Sequence, residues 1–447
     1  MNLTRKEKIS FGLGDFSNNG IFTFVSTYLM YYYTDVACLD LASISLILML
    51  GRTIDAIFSP VMGLIVDKTN TKYGKCRPYL ALGILPSCIL MIGLFALPDG
   101  MTPGAKTILA IANYAAFSVL YAFMNVPYST MINVLTASNT QRISLNLYKT
   151  LGANLGAVFV TAVSLKAVEY FSKGNKNGFS RAAVLFALLF FIGVLLCVVN
   201  TKERVTAKSS AAVPVRESLK VLRINTPWKI FCGVQFLTLL MYIIRSQGTI
   251  YYAKYYLGNE NISSFMLTIL SVIALAFSFL LPGMVKRWGL RSCVIGGNLI
   301  WCLSMLATWF SGKNTVLVLL FHITGSMGWS TATGIVFVIL SQTIDYGQWK
   351  TGKRPQGLFT SLVSFVQKMG IACAGVVCSQ VLQAGGYVAN QEAGKNALLS
   401  IKFLFCGLPM VLGICIILLM MCYHLDALYP QIEKDLSEGR MENGQPI

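Results

Sequence analysis

Charge is scarce in this sequence. Lys and Arg number 36 and Asp and Glu 18, together 12% of 447 residues, against about a quarter in an ordinary globular protein. Histidine is scarcer still, limited to His322 and His424. The twelve cysteines form no Cys-x-x-Cys pair and lie mostly within apolar runs, so they read as small buried hydrophobes and not as a metal cluster or a disulfide framework. No phosphate-binding glycine loop, ATPase motif, nucleophile triad or pair of catalytic acids is visible. The expectation is therefore a chain that is not an enzyme and holds no cofactor or metal. An excess of 18 basic charges would suit nucleic acid if it formed one continuous face, but the bases stand between apolar runs, so no nucleic-acid partner is expected.

What is abundant is apolar surface. The residues Ala, Val, Ile, Leu, Met, Phe, Trp, Tyr and Cys make up 55% of the chain and the mean hydropathy is +0.64, more than the interior of a water-soluble fold this size can absorb. A helix needs about 20 apolar residues to cross a hydrocarbon core of roughly 30 Å. Twelve such runs fall at approximately 9–34, 41–67, 78–98, 105–134, 143–168, 182–201, 228–256, 264–286, 291–311, 315–344, 356–387 and 397–424. The first is too long and too polar for a cleaved signal peptide, so it is expected to remain. The longest polar stretch, 202–227, divides the chain into a six-helix half at 1–201 and another at 228–424, with a tail at 425–447. That tail is mixed in charge and reads as a mobile extension carrying no signal.

Basic residues gather at the N-terminus (Arg5, Lys6, Lys8), after the second run (Lys72, Lys75, Arg77), in the central stretch (Lys202, Arg204, Lys220, Arg223) and in later loops on the same side (Lys286, Arg287, Arg291, Lys350, Lys353, Arg354). The positive-inside rule then puts both termini in the cytoplasm of a multi-pass inner-membrane protein, with Asp35, Asp40, Asp99 and Glu260 outside. An internal repeat agrees: the second run of each half leaves the membrane through a glycine and a basic cluster, Gly63 to Lys68 followed by Gly74 to Arg77 in the first half and Gly283 to Arg291 in the second. Glycine at such an exit would let two helices approach closely.

Ionisable groups at membrane depth cost about 2.5–3.5 kcal/mol each on insertion scales and so tend to face a cavity or a partner. Here they form stripes. Asp15, Asn18 and Asn19 share a face of the first run, Arg52 and Asp55 stand one turn apart in the second, and Tyr121, Asn125 and Tyr128 stack along the fourth. Asn146 and Lys149 follow in the fifth, Tyr242 and Arg245 in the seventh, and Ser364, Gln367 and Lys368 in the eleventh. Any one of these alone reads equally as a structural hydrogen bond or a snorkelling base. Six stripes together point to one hydrated cavity, lined by carboxamides, hydroxyls and rings that suit a polyhydroxylated ligand. Trp329 could offer a ring to a sugar, but its glycine-rich surroundings favour packing, and His322 reads as a satisfied core histidine.

At these residues the chain resembles the glycoside–pentoside–hexuronide:cation symporter family, the branch of the major facilitator superfamily that contains the melibiose and glucuronide carriers. The resemblance is carried by Lys8-Ile-Ser-Phe-Gly12-Leu-Gly14-Asp15, Tyr31-Tyr-Tyr-Thr-Asp35-Val, Arg52-Thr-Ile-Asp55, Asp67-Lys-Thr-Asn70-Thr-Lys-Tyr-Gly74-Lys-Cys-Arg77-Pro78, Asn125-Val-Pro127-Tyr128, and Asp345-Tyr-Gly347 with Lys368 downstream. It implies an all-α membrane fold of twelve helices in two pseudo-symmetric six-helix bundles, alternating access and a central sugar site. It also implies that Asn18, Asn19, Asn125, Lys149 and Lys368 line the sugar or ion site. Asn19 and Asn125 stand where the melibiose carrier has acids, and the Asn18–Asn19 pair is closer to the glucuronide carriers. Family symporters have a second acid four residues after the Asp55 position, and here that residue is Ser59.

The resulting expectation is a secondary transporter of a glycoside or related sugar, including a hexuronide, moved by H⁺ or Na⁺ symport. An uncoupled sugar facilitator and a carrier of an amphipathic, lipid-like ligand stay open as alternatives. The expected substrate contacts are Asn18, Asn19, Tyr121, Asn125, Tyr128, Lys149, Arg245, Trp329, Gln367 and Lys368. Asp55, Ser59 and Asn125 are the expected cation site, and Asp67, Lys75 and Arg77 the expected gate. The partners are a small sugar and membrane lipids, and the expected state is a monomer.

Overall fold

A computed structural model describes residues 3–69, 71–136, 138–172, 177–204, 215–354, 356–438 and 440–442. Its elements are α1 (Arg5–Tyr31), α2 (Leu41–Lys68), α3 (Arg77–Leu94), α4 (Pro103–Leu135), α5 (Asn139–Ser172), α6 (Gly178–Asn200), α7 (Val215–Ile224), α8 (Thr226–Tyr251), α9 (Asn261–Trp288), α10 (Leu290–Phe310), α11 (Thr315–Thr333), α12 (Val336–Thr351), α13 (Gln356–Ala384), α14 (Lys395–Lys402), α15 (Leu408–Met421) and α16 (Leu425–Ser437). Among the described residues there is no strand beyond one isolated bridge between Thr71 and Gly74.

Eleven segments among the described residues are long and apolar enough to cross a membrane. The twelfth is α1, whose 27 residues suffice in length but whose Asp15, Asn18 and Asn19 dilute its apolar character. Expected and observed spans agree within a few residues, but two are subdivided: the run expected at 397–424 is α14 and α15 joined by a π turn at Phe403–Gly407. The run expected at 315–344 is two helices, α11 and α12, parted at Gly334 and Ile335. Part of the expected central loop is the short helix α7.

The reason for membrane burial is plain in α6. One face packs Ala182, Ala183, Phe186, Phe190, Val194 and Cys197 into the protein, while Leu185, Leu188, Ile192 and Val199 are exposed on the other. A helix apolar on both faces belongs in lipid.

By contacts the chain forms two compact units. The first comprises Met1–Lys208, Ile243–Val272 and Ala372–Phe405, and the second Ser209–Tyr242, Ile273–Ile371 and Cys406–Ile447. Within the first, α1 lies against α5 at backbone contact. A methyl group at Gly152 would collide with the Gly12 carbonyl, and one at Gly156 with the Phe16 carbonyl. Between them Asn19 donates its side-chain amide to the Ala153 carbonyl at 2.6 Å. Close approach at Gly63 and Gly283 was the expectation, and it is not met: a Cβ at either position would touch nothing within 4 Å.

In the first unit, α1 and α8 end alike. Each passes into a π turn, Tyr32–Val36 and Tyr252–Tyr256, closed by matching backbone bonds from Ala37 to Tyr32 and from Leu257 to Tyr252. This is a repeat of structure at corresponding places in the two halves of the sequence.

Within the second unit the described part of the tail forms a packed helix, where the expectation was a mobile extension. α16 buries Leu425 and Ile432, the Tyr429 hydroxyl donates to Asp345 at 2.9 Å, and the Trp349 indole donates to Asp435 at 3.0 Å. Arg354 pairs with the other Asp345 oxygen at 2.7 Å.

Candidate functional site

The first unit gathers several of the expected residues on the inner faces of α1, α4 and α5. Tyr128 is fully buried and stacks on Phe11 with ring centroids 4.9 Å apart. Its hydroxyl donates to the Phe11 carbonyl at 2.7 Å. The ring so fixed carries the Lys149 ammonium 5.6 Å from its centroid, a cation–π contact worth about 0.5–2 kcal/mol. On α1, Asp15 is only 8% exposed. One turn on, Asn18 is 1% exposed, and neither its carbonyl nor its amide nitrogen meets a partner among the described residues. Such a carboxamide is costly unless a ligand or water completes it. Asn125 is half-buried on α4. Asn19, by contrast, is committed to the α5 backbone.

On α2, Arg52 donates to the Ser26 hydroxyl at 2.5 Å and lies over two rings, 5.0 Å from the Phe22 centroid and 5.8 Å from that of Tyr114. Tyr121 is buried and stacks between Phe22 and Phe117. Asp55, one turn from Arg52, is buried. Ser59 donates to the Asp55 carbonyl at 2.8 Å and reaches its carboxylate at 3.4 Å. The hydroxyl standing at the second-acid position therefore supports Asp55 as a donor. It does not add the negative charge a Na⁺ site wants.

Arg245 is 1% exposed and gives its guanidinium to the Phe405 carbonyl and to the Phe405 ring, 3.3 Å from the centroid. In the second unit, Gln367 donates to Gln235 at 2.9 Å, and Lys368 is half-buried. Trp329 is packed in an aromatic cluster, 5.6 Å from Tyr242 and from Trp301, where α10 and α11 cross at Gly297 and Gly328.

Of the expected gate, the Asp67 side chain lies outside the described residues. Lys75 and Arg77 sit in an arrangement that sequence reasoning missed. The backbone N–H groups of Lys75, Cys76 and Arg77 all donate to the Glu203 carboxylate, at 2.6, 2.8 and 2.9 Å, where the α3 N-terminus favours an anion. The Arg77 guanidinium caps α6 through the Val198 carbonyl at 3.0 and 2.8 Å. Next in sequence, Arg204 pairs with Glu7 at 2.6 Å, and Glu7 completes a capping box with Thr4 at the start of α1.

Burial alone would raise the Glu7 carboxyl, but the Thr4 backbone N–H and the Arg204 guanidinium outweigh it and hold the group below the usual carboxylate range. The stability this supplies is present above the ordinary carboxylate pKa and is lost as pH falls through the lowered one. Glu7→Gln should therefore lower the unfolding midpoint at pH 7, by about 1 kcal/mol. The gap between variant and wild type should close below about pH 4 in a thermal melt. A gap independent of pH would contradict the assignment.

A second missed cluster sits at the opposite end of α1. Asp35 is buried and accepts from the Lys254 ammonium at 2.7 Å, from Thr34 at 2.7 Å, from Tyr387 at 2.8 Å and from the Tyr255 hydroxyl. Asn390 donates to the Asp35 carbonyl at 2.6 Å, and Tyr31 donates to Glu260 at 2.9 Å. One carboxylate thus ties together the ends of α1 and α8 and the chain after α13. Beside it opens a cavity of about 480 Å³ lined by Tyr31, Asp35, Glu169, Glu260 and Asn390 among others. The sequence signal was present: both π turns lie in tyrosine-rich run ends carrying charges of opposite sign, Asp35 and Lys254.

Comparison with known proteins gives a consistent result. The family model described as MFS/sugar transport protein matches residues 10–427. The isoprimeverose transporter of Lactiplantibacillus pentosus is 33% identical over 439 residues, covering 97% of this chain and 91% of that one. The uncharacterized symporter YnaJ of Bacillus subtilis (strain 168) is 32% identical over 425 residues, covering 94% and 92%. Among solved structures, the nucleoside transporter NupG superposes with a TM-score of 0.66 at 15% identity, covering 94% of this chain and all of that one, a likeness of fold. The membrane-spanning helices, the motifs quoted above and these matches agree: the chain is a multi-pass membrane transporter of the major facilitator fold and belongs to the MFS/sugar transport protein family, with the glycoside–pentoside–hexuronide:cation symporters.

Proposed function

We propose that this transporter carries a neutral glycoside by alternating access, in symport with a cation, with both termini in the cytoplasm and the Asp35 cluster facing outward. The observation that carries the choice of a neutral cargo is the engagement of the bases. A uronide carboxylate needs an uncommitted cation in the site. Arg245 already serves the Phe405 carbonyl and ring, and Lys149 already lies over the Tyr128 ring. What remains toward a ligand is the Asn18 carboxamide, Asn125 and aromatic rings, a set suited to sugar hydroxyls and ring C–H faces. The name of the isoprimeverose transporter supports a glycoside, and the concentration of bases in the loops expected inside supports the orientation.

The test is a thermal-shift panel on purified protein. Isoprimeverose and other neutral glycosides should raise the unfolding midpoint, and glucuronides should not at equal concentration. Stabilisation by glucuronides alone would overturn the neutral assignment.

A further inference from the structure

We propose that a cavity where the ends of α1, α3 and α6 meet seats the headgroup of a membrane aminophospholipid of the phosphatidylethanolamine type. It encloses about 380 Å³ between the π turn after α1, the chain leaving α3 and the start of α6. Its wall is fixed by hydrogen bonds: the Leu97 N–H donates to the Tyr32 hydroxyl at 3.0 Å, and the Ser180 hydroxyl donates to the Phe95 carbonyl. Two opposite charges line it, Asp99 after α3 and Arg181 one turn into α6, and both are exposed. Among the described residues Asp99 has no ion-pair or hydrogen-bond partner. Arg181 gives one guanidinium nitrogen to the Phe171 carbonyl at 3.2 Å, which leaves its other donors for a ligand. α6 also begins at Asn177 without a side-chain cap, so its first N–H groups favour an anion beside Arg181.

Away from these charges the surface turns apolar. From Ile92, α3 continues with exposed Ile89 and Leu85, and from Arg181, α6 continues with exposed Val184, Leu188 and Ile192, each set at helical spacing. Ile92 and Val184 line the same cavity, so the two stripes start side by side. Further along, the helices stay in contact, the Cys88 thiol donating to the Ala187 carbonyl at 3.4 Å. A base and an acid at the head of an apolar seam match a molecule with a phosphate, an ammonium and acyl chains. Arg181 takes the phosphate and Asp99 the ammonium, and the chains follow the stripes. A lone snorkelling arginine needs neither the acid nor the recess. Val36 lines this cavity and also the one beside Asp35, so the lipid packs against the turn that carries the Asp35 cluster. The site is independent of which sugar is carried.

Native mass spectrometry of the purified full chain, titrated with phosphatidylethanolamine, phosphatidylglycerol and phosphatidylcholine of matched acyl chains, tests the assignment. Wild type should hold phosphatidylethanolamine about fivefold more tightly than phosphatidylglycerol, because only the former offers an ammonium to Asp99. Phosphatidylcholine, whose trimethylated amine has no N–H to donate, should bind more weakly than phosphatidylethanolamine, a comparison that needs no variant. Asp99→Asn should bring phosphatidylethanolamine and phosphatidylglycerol level, and Arg181→Gln should weaken both, with size exclusion confirming that each variant is monodisperse. Soluble glycerophosphoethanolamine should not displace the lipid at equal concentration. Equal binding of the three lipids by wild type, a preference that survives Asp99→Asn, or unchanged affinities in Arg181→Gln would overturn the proposal. Displacement by the soluble headgroup would also overturn it and give the cavity to a free phosphoamine.

Discussion

Asp35→Asn should loosen the end of the first unit that the Asp35 cluster closes. The carboxylate side chain is 1% exposed and its Lys254 partner 23%, and removing one charge of a buried pair costs on the order of 3 kcal/mol, about a hundredfold in an equilibrium. Tyr255 and Tyr387 lose their charged acceptor at the same stroke. The reporter is already in the chain. Cys378 is buried on α13 in the same unit, where the Tyr251 hydroxyl bonds Thr34 within the cluster at 2.7 Å. A membrane-impermeant maleimide, with labelled peptides read by mass spectrometry, should leave Cys378 untouched in wild type and modify it up to about a hundredfold faster in the variant. Exposed Cys38 serves as the internal control for reagent access. Equal labelling of Cys378 in both proteins would reduce the cluster to a local tie with no gating role.

Gly152→Val should have the largest effect on folding. At most helix crossings an added methylene costs about 1–3 kcal/mol because side chains yield. At Gly152 the obstacle is the Gly12 carbonyl, and backbone cannot rotate away. α1 must then separate from α5, which also breaks the Asn19 bond to Ala153 and moves Asp15 away from Lys149. Size-exclusion of the fluorescently tagged protein should show less than about a tenth of the wild-type monodisperse peak. Gly63→Val is the control, since the space around Gly63 is empty, and it should run as wild type. A normal peak from Gly152→Val would refute the close packing of α1 on α5.

Helix number and extent were legible because each span needs an unbroken apolar run, and charges or Gly and Pro mark its ends. The break between α11 and α12 was not, because Thr333 to Ile335 is as apolar as its flanks. α16 was overlooked although Leu425, Tyr429, Ile432 and Leu436 repeat at helical spacing. Its mixed charge masked that pattern. Asp15, Tyr121, Tyr128 and Lys149 were recognised as out of place in lipid, and they do lie in one unit on neighbouring helices. The pairings of Glu203 with the α3 N-terminus and of Asp35 with Lys254 were beyond a sequence reading, since each joins residues more than a hundred positions apart. Glycine roles were misjudged for the same reason: which glycine meets a backbone depends on the partner helix, and the Gly152-Ala-Asn-Leu-Gly156 spacing was the available clue.

The account stands or falls on glycoside counterflow. Liposomes containing the purified protein and loaded with unlabelled isoprimeverose should take up the labelled sugar to a transient overshoot above the external concentration, and an excess of glucuronide outside should leave the overshoot in place. Slow uptake to equilibrium without an overshoot, or an overshoot that glucuronide removes while neutral glycosides do not, would contradict it.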